Sequence, residues 1–105
     1  MARFDIYVTP GGTSAHTPFL IDVQSNHLRG LATRVVVPLR RLDRFPAVVL
    51  PPDLTPTFTV AGQACFLDTP AMAAVPTREL GHAIGSAQSR ADDIQNALDR
   101  LFGGF

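Results

Sequence analysis

The hydrophobic period of this 105-residue chain changes once, and that change constrains the fold more than any other feature. Through residue 76 apolar side chains alternate with polar ones, as on a strand with one covered face. Phe4, Ile6 and Val8 fall on one side of a first strand, with Arg3, Asp5 and Tyr7 on the other. Residues 9–14 (Thr-Pro-Gly-Gly-Thr-Ser) read as a turn or loop. A second strand sets Phe19, Ile21 and Val23 against Asp22 and Gln24. Arg34-Val35-Val36-Val37 predicts a third strand, ended by Pro38, which has no N–H to give a ladder. Ala47-Val48-Val49-Leu50 predicts a fourth, stopped by Pro51-Pro52. Two more runs, 57–60 and 63–67, flank Ala61-Gly62 at the spacing of a two-residue hairpin. Short strands so spaced predict an antiparallel barrel or curled sheet.

The last third changes to a helical period. Residues 76–80 read as one helical turn before Gly81, and a C-terminal helix is expected over 86–103. Ser86 or Ser89 can cap it, and Asp92 and Asp93 suit its positive end. Ile94, Ala97, Leu98 and Leu101 form one apolar stripe, with Phe102 at its edge beside Gln95 and Asp99. The chain then closes on Gly103, Gly104 and Phe105. Glycine tolerates the backbone that ends a helix, so an aromatic beyond it is either docked on the body or offered to a partner.

Composition excludes several classes of function. The expected organisation is one domain spanning 1–105, large enough to bury a core without staples. The formal charge is zero, which gives no general attraction to nucleic acid or anionic lipid. Nothing reads as a signal peptide or a membrane span, so the expected location is cytoplasmic, with no membrane partner. The single cysteine, Cys65, lies in an apolar run and reads as a buried, inert thiol. His16, His27 and His82 are scattered without ligand spacing, so neither a metal site nor a cofactor is expected. Asp92 and Asp93 are neighbours on a helix and point apart, so they do not share a site. No nucleophile elbow, Walker loop or dinucleotide fingerprint is present, and the sequence reads as a binding protein, not an enzyme. All nine basic residues are arginine, and five (Arg29, Arg34, Arg40, Arg41, Arg44) fall in one stretch opposed there only by Asp43. That stretch reads as a solvated basic loop or as a dock for an acidic peptide.

Four segments in order resemble the CcdB family, the toxins of toxin–antitoxin pairs. They are Leu20-Ile21-Asp22-Val23-Gln24-Ser25, Arg34-Val35-Val36-Val37-Pro38-Leu39, Met72-Ala73-Ala74-Val75-Pro76, and Asp93-Ile94-Gln95-Asn96-Ala97-Leu98 with its Phe102-Gly103-Gly104-Phe105 ending. The resemblance implies a small SH3-like antiparallel barrel with a C-terminal helix, paired as a symmetric dimer. It also implies binding to the DNA gyrase A subunit, trapping of gyrase on cleaved DNA, and neutralisation by a CcdA-like antitoxin. Toxin and antitoxin together would repress their operon, the toxin reaching operator DNA only through the antitoxin.

Carried onto this chain, the gyrase-facing positions are Phe102, Gly103, Gly104, Phe105, Asp99, Asn96, His27 and Leu28. The antitoxin is expected over loops 9–18 and 40–53, with Arg40, Arg41 and Arg44 as its basic contacts. The chain departs from the familiar pattern in having Gly103 where the family has a tryptophan, Phe105 for an isoleucine, and His27 for an apolar residue. Two other readings compete. One is a messenger-RNA-cleaving toxin of the MazF/Kid kind, which needs clustered arginine and acidic residues in a basic groove on the dimer; Arg34, Arg40 and Arg41 are candidates for it, although that family's local motifs are absent. The other is a relic that binds antitoxin but no longer poisons gyrase.

Overall fold

The computed structural model describes residues 2–11, 15–28, 30–45 and 51–103. The strand expected over 47–50, and the terminal Gly104 and Phe105, lie outside the described residues. The described strands are β1 (Asp5–Val8), β2 (Phe19–Asp22), β3 (Thr33–Arg41), β4 (Thr57–Val60), β5 (Gln63–Leu67), β6 (Ala73–Pro76) and β7 (Gly85–Ser86). One α-helix among the described residues, α1 (Ala91–Gly103), follows. The strands pair antiparallel in the order β4-β5-β3-β2-β1-β7, with β6 also on β3. This is the expected mainly antiparallel sheet, curled into a half-barrel and completed by one C-terminal helix.

The alternating residues build the core as their period requires. Phe4, Ile6, Phe19, Ile21, Val37 and Leu39 line one face, and α1 covers it with Ile94, Ala97 and Leu98. Three of the four stripe residues are thus buried, while Leu101 is half-buried. The reverse face is not left to water. Tyr7, Leu20, Val36 and Leu80 form a second apolar cluster there, and burial beside Asp5 and Asp22 raises the Tyr7 phenol above its ordinary pKa. Val8, expected in the core row, is instead exposed at the strand end.

Pro38 does not end the third strand; β3 runs through it to Arg41. In an antiparallel strand a residue's N–H and C=O point to the same side. The Pro38 carbonyl accepts from Asp68 N at 2.9 Å, so its donor-less nitrogen faces the same way. On that side β3 changes partner, from β6 up to the Val36–Ala73 pair to β5 from the Leu39–Leu67 pair. The proline falls where β3 exchanges β6 for β5, and its carbonyl still takes the bond from Asp68 N.

The helix also begins later than expected, at Ala91 and not at 86. Residues 85–86 are held as β7 against Asp5 and Ile6, and Ala87 N donates to the Phe4 carbonyl at 2.8 Å. Ser86 does not cap α1: its Oγ accepts from Gln88 N at 3.1 Å, ahead of a 3₁₀ turn over Gln88–Arg90 whose N-cap is Ala87. Among the expected turns, Thr77–Glu79 is one turn of 3₁₀ helix.

The β4–β5 connection is the hairpin the sequence predicts. Ala61 and Gly62 both take positive φ, 50° and 77°, the signature of a type I′ turn. Glycine adopts that backbone freely and alanine does not, at a cost of about 1 kcal/mol. Ala61→Asn is therefore expected to raise stability by about 1 kcal/mol, read as a higher denaturant midpoint with an unchanged slope.

A buried charge pair joins β2 to β3. Arg34 Nε donates to Asp22 Oδ2 at 2.7 Å, with neither side chain exposed. Asp22 Oδ1 accepts from Gln24 N at 2.9 Å, and Gln24 Oε1 accepts from Val35 N at 3.0 Å. The Gln24 side chain thereby extends the ladder beyond the end of β2, while its Nε2 donates to the Leu28 carbonyl at 3.1 Å. Removing the carboxylate leaves a guanidinium without charge compensation in the interior. Asp22→Ala is expected to cost about 3–5 kcal/mol in chemical denaturation.

Candidate functional site: the helix end and the turn after β2

Helix α1 presents two kinds of surface. Its apolar stripe faces the core, and on the opposite side Asn96, Asp99 and Gly103, spaced i, i+3, i+7, are exposed together. Beside them run Gln95, Asp99 and Phe102 at i, i+4, i+7. Gln95 Nε2 donates to Asp99 Oδ1 at 3.0 Å, which fixes the two polar members of that row. Phe102 is 74% exposed, the highest value among the exposed large apolar side chains. Its ring is thus offered to the surface and not tucked onto the domain. Gly103 is the last helical residue.

His27 and Leu28 lie in the 3₁₀ turn Asn26–Leu28, both exposed, Leu28 by 48%. The turn is held by Leu28 N donating to the Ser25 carbonyl at 3.0 Å and His27 N to Ser25 Oγ at 3.2 Å. Arg3 connects this turn to the helix. Its backbone N donates to Asn26 Oδ1 at 2.7 Å, its Nε to the Val23 carbonyl at 3.0 Å, and its Nη2 to Gln95 Oε1 at 2.9 Å. The structure therefore links, through one arginine, the two segments that the family resemblance marks as target-facing. Sequence reasoning missed Arg3, whose only signal was a cation on the first strand.

The arginine stretch is less available than its sequence suggests. Arg34 is internal. Arg40 Nε donates to Asp68 Oδ2 at 2.5 Å and Nη1 to Thr17 Oγ1 at 2.8 Å, with its guanidinium 5.7 Å from the Phe45 ring centre. Arg41 forms a two-point fork with Asp43, at 3.0 and 2.7 Å. Asp22 and Asp68 thus oppose the stretch as well as Asp43, because pairs distant in sequence meet across strands. Arg44 is exposed and forms no ion pair among the described residues. Beside it, Arg41, Leu42, Asp43, Gly62, Gln63 and Ala64 line a shallow cleft of about 240 Å³.

The described residues contain no cluster of three metal-ligating side chains. Cys65 is fully buried, and burial pushes its thiol above the ordinary pKa, away from the reactive thiolate. No described helix is long and apolar enough to cross a membrane.

A half-barrel closed by a C-terminal helix is the fold of a class of small toxin domains. A solved chain described as an endoribonuclease in complex with its cognate antitoxin, from Mycobacterial species, superimposes with a TM-score of 0.74. It is 19% identical, and the match covers 98% of this chain and 95% of that one, so the likeness is one of fold. The CcdB protein family matches residues 3–104, and the chain belongs to that family, the toxins of toxin–antitoxin pairs. No curated protein sequence matches it.

The exposure of Phe102 separates its role from that of the core. Phe102→Ala is expected to change folding stability by less than about 0.5 kcal/mol, checked by thermal melting, because little of the ring is buried.

Proposed function

We propose that this toxin binds the A subunit of DNA gyrase as a symmetric dimer and holds the enzyme on cleaved DNA. The observation that carries the reading is Phe102, an aromatic ring left largely in solvent at the end of a helix whose apolar stripe is otherwise well buried. Isolated exposed apolar residues need no explanation, but a large one beside Asn96, Asp99 and Gly103, in a family that meets its target with this helix end, does. Two such ends related by a two-fold axis make a self-complementary patch that suits a two-fold target. The toxin needs no chemistry of its own. By binding the cleaved, open form of gyrase better than the closed form it draws the equilibrium toward broken DNA.

The surface comprises Phe102, Gly103, Asp99 and Asn96 on the helix and His27 and Leu28 on the turn, continued by Gly104 and Phe105. A CcdA-like antitoxin binds across loops 9–18 and 40–53. Arg44, free of carboxylate partners among the described residues, meets its acidic side chains, with Arg40 and Arg41 at the same edge and the cleft beside them accepting a side chain. The antitoxin-bound toxin represses its operon in the cytoplasm. The messenger-RNA-cleaving reading loses support, because Arg34 has no exposure and Arg40 and Arg41 are engaged with carboxylates.

Plasmid DNA incubated with purified gyrase, ATP and the toxin, then stopped with detergent, tests the reading. Accumulation of linear DNA is expected, and Phe102→Ala should raise the toxin concentration required about thirtyfold, the equivalent of about 2 kcal/mol. No linear product from a folded toxin that still binds antitoxin would overturn gyrase poisoning and favour the relic, whose motivating observation is Gly103 at the tryptophan position.

A further inference from the structure

Arg3 is joined to more separate segments than any hydrogen-bonding role in the sheet requires. Its backbone N–H holds Asn26, its Nε holds the Val23 carbonyl, and its Nη2 holds Gln95 on α1. Its guanidinium also sits 4.7 Å from the centre of the Phe4 ring. Among the described residues no other hydrogen bond or ion pair joins the 23–28 segment to α1.

The backbone is shaped to permit this. On a straight strand Arg3 would share a face with Asp5 and Tyr7, on the side of the sheet away from α1. Phe4 instead takes φ 73°, a left-handed backbone that a bulky residue rarely adopts. That conformation is pinned from both sides, by Phe4 N donating to the Asp22 carbonyl at 2.6 Å and by Ala87 N donating to the Phe4 carbonyl at 2.8 Å. The reversal brings the Arg3 side chain round to the helix. Strain persists where the surroundings over-determine it, and it is concentrated at binding surfaces.

We propose that Arg3 is the positioning residue of the target-facing surface, fixing the Asn26–Leu28 turn against α1 so that His27, Leu28, Asp99 and Phe102 engage gyrase A as one rigid patch. The proposal rests on the gyrase reading of that surface. Arg3 itself need not touch the target. It acts by removing a loop motion that binding would otherwise have to arrest, and a planar guanidinium does this where an ammonium cannot, because it donates to Val23 and Gln95 from two nitrogens at once.

The test uses the full-length protein and two readouts. Amide hydrogen exchange at Leu28 and Leu31, both donors within this turn region, is expected to quicken tenfold or more in Arg3→Ala while the β3 amides stay protected. Affinity for purified gyrase A subunit is expected to fall at least tenfold, with antitoxin affinity unchanged. Arg3→Lys should behave like Arg3→Ala, and adding Gln95→Glu to Arg3→Lys should recover part of both effects through a new ion pair to the helix. Unchanged exchange at Leu28 and Leu31 in Arg3→Ala would overturn the latch. Faster exchange with undiminished gyrase affinity would overturn the positioning role, as would equal losses toward gyrase and antitoxin, the mark of a general structural residue. If the wild-type protein itself fails to bind gyrase A, the functional reading falls and the target-facing role falls with it, whereas the exchange result still decides whether Arg3 holds the turn.

Discussion

A carboxylate and a guanidinium removed from water, Asp22 and Arg34, hold the middle of this fold in register. Desolvating two charges is costly, and their attraction offsets the cost only when the geometry is good and the remaining polar atoms are satisfied. Here satisfaction is nearly complete: Gln24 N, the Gln24 side chain and the Gln24 carbonyl all join the network, and within it Arg34 Nη1 is the atom left buried without a hydrogen-bond partner. The pair is therefore better understood as fixing an arrangement than as adding stability. Asp22 lies opposite Val36, two residues along from Arg34. A slip of one residue between β2 and β3 would turn Asp22 or Arg34 toward the wrong face and leave a bare charge in the interior.

Much else hangs from that register. Val23 N still donates to the Val35 carbonyl, and beyond it Gln24 carries the pairing on by its side chain while tethering Leu28. This sets where the Asn26–Leu28 turn can stand. The Asp22 carbonyl, in turn, accepts the Phe4 N–H that holds the left-handed backbone at the head of β1. One residue thus reaches the interior by its carboxylate and the N-terminal kink by its carbonyl. The segment that looked like a family signature is chiefly an architectural device, with the exposed turn as its consequence.

What the sequence made legible was whatever depends on neighbours in the chain. The 57–67 hairpin, the stripe Ile94-Ala97-Leu98 and the exposed edge at Phe102 all follow from local period and turn chemistry. What it concealed depends on partners far away. Pro38 reads as a terminator until β3 is seen to exchange β6 for β5 at that residue. Ser86 reads as the start of α1 until β1 claims residues 85–87 for the sheet. Asp22 and Arg34 each read as solvent-facing, since alternation assigns polar residues outward, and only their pairing across strands allows them inside. The arginine stretch misleads for the same reason: its carboxylate partners come from positions 22 and 68 as well as 43.

Those partners also bear on how one scaffold can serve different targets. Folds of this kind do not fix function; the groups on their surfaces do. A nuclease working on phosphodiesters needs cations free to face its substrate, whereas Arg34, Arg40 and Arg41 are each turned to a carboxylate of the same chain. The exposed surface at the helix end and the turn is of another character: Phe102 in solvent, Leu28 half out, and polar groups at Asn96 and Asp99 on the same helix as Phe102. Such a patch is equipped to meet protein by shape and aromatic contact, with little charge to draw in a nucleic acid. The internal pairing of the arginines and the exposure of the helix end are the two observations on which the proposed choice of a protein target over RNA rests.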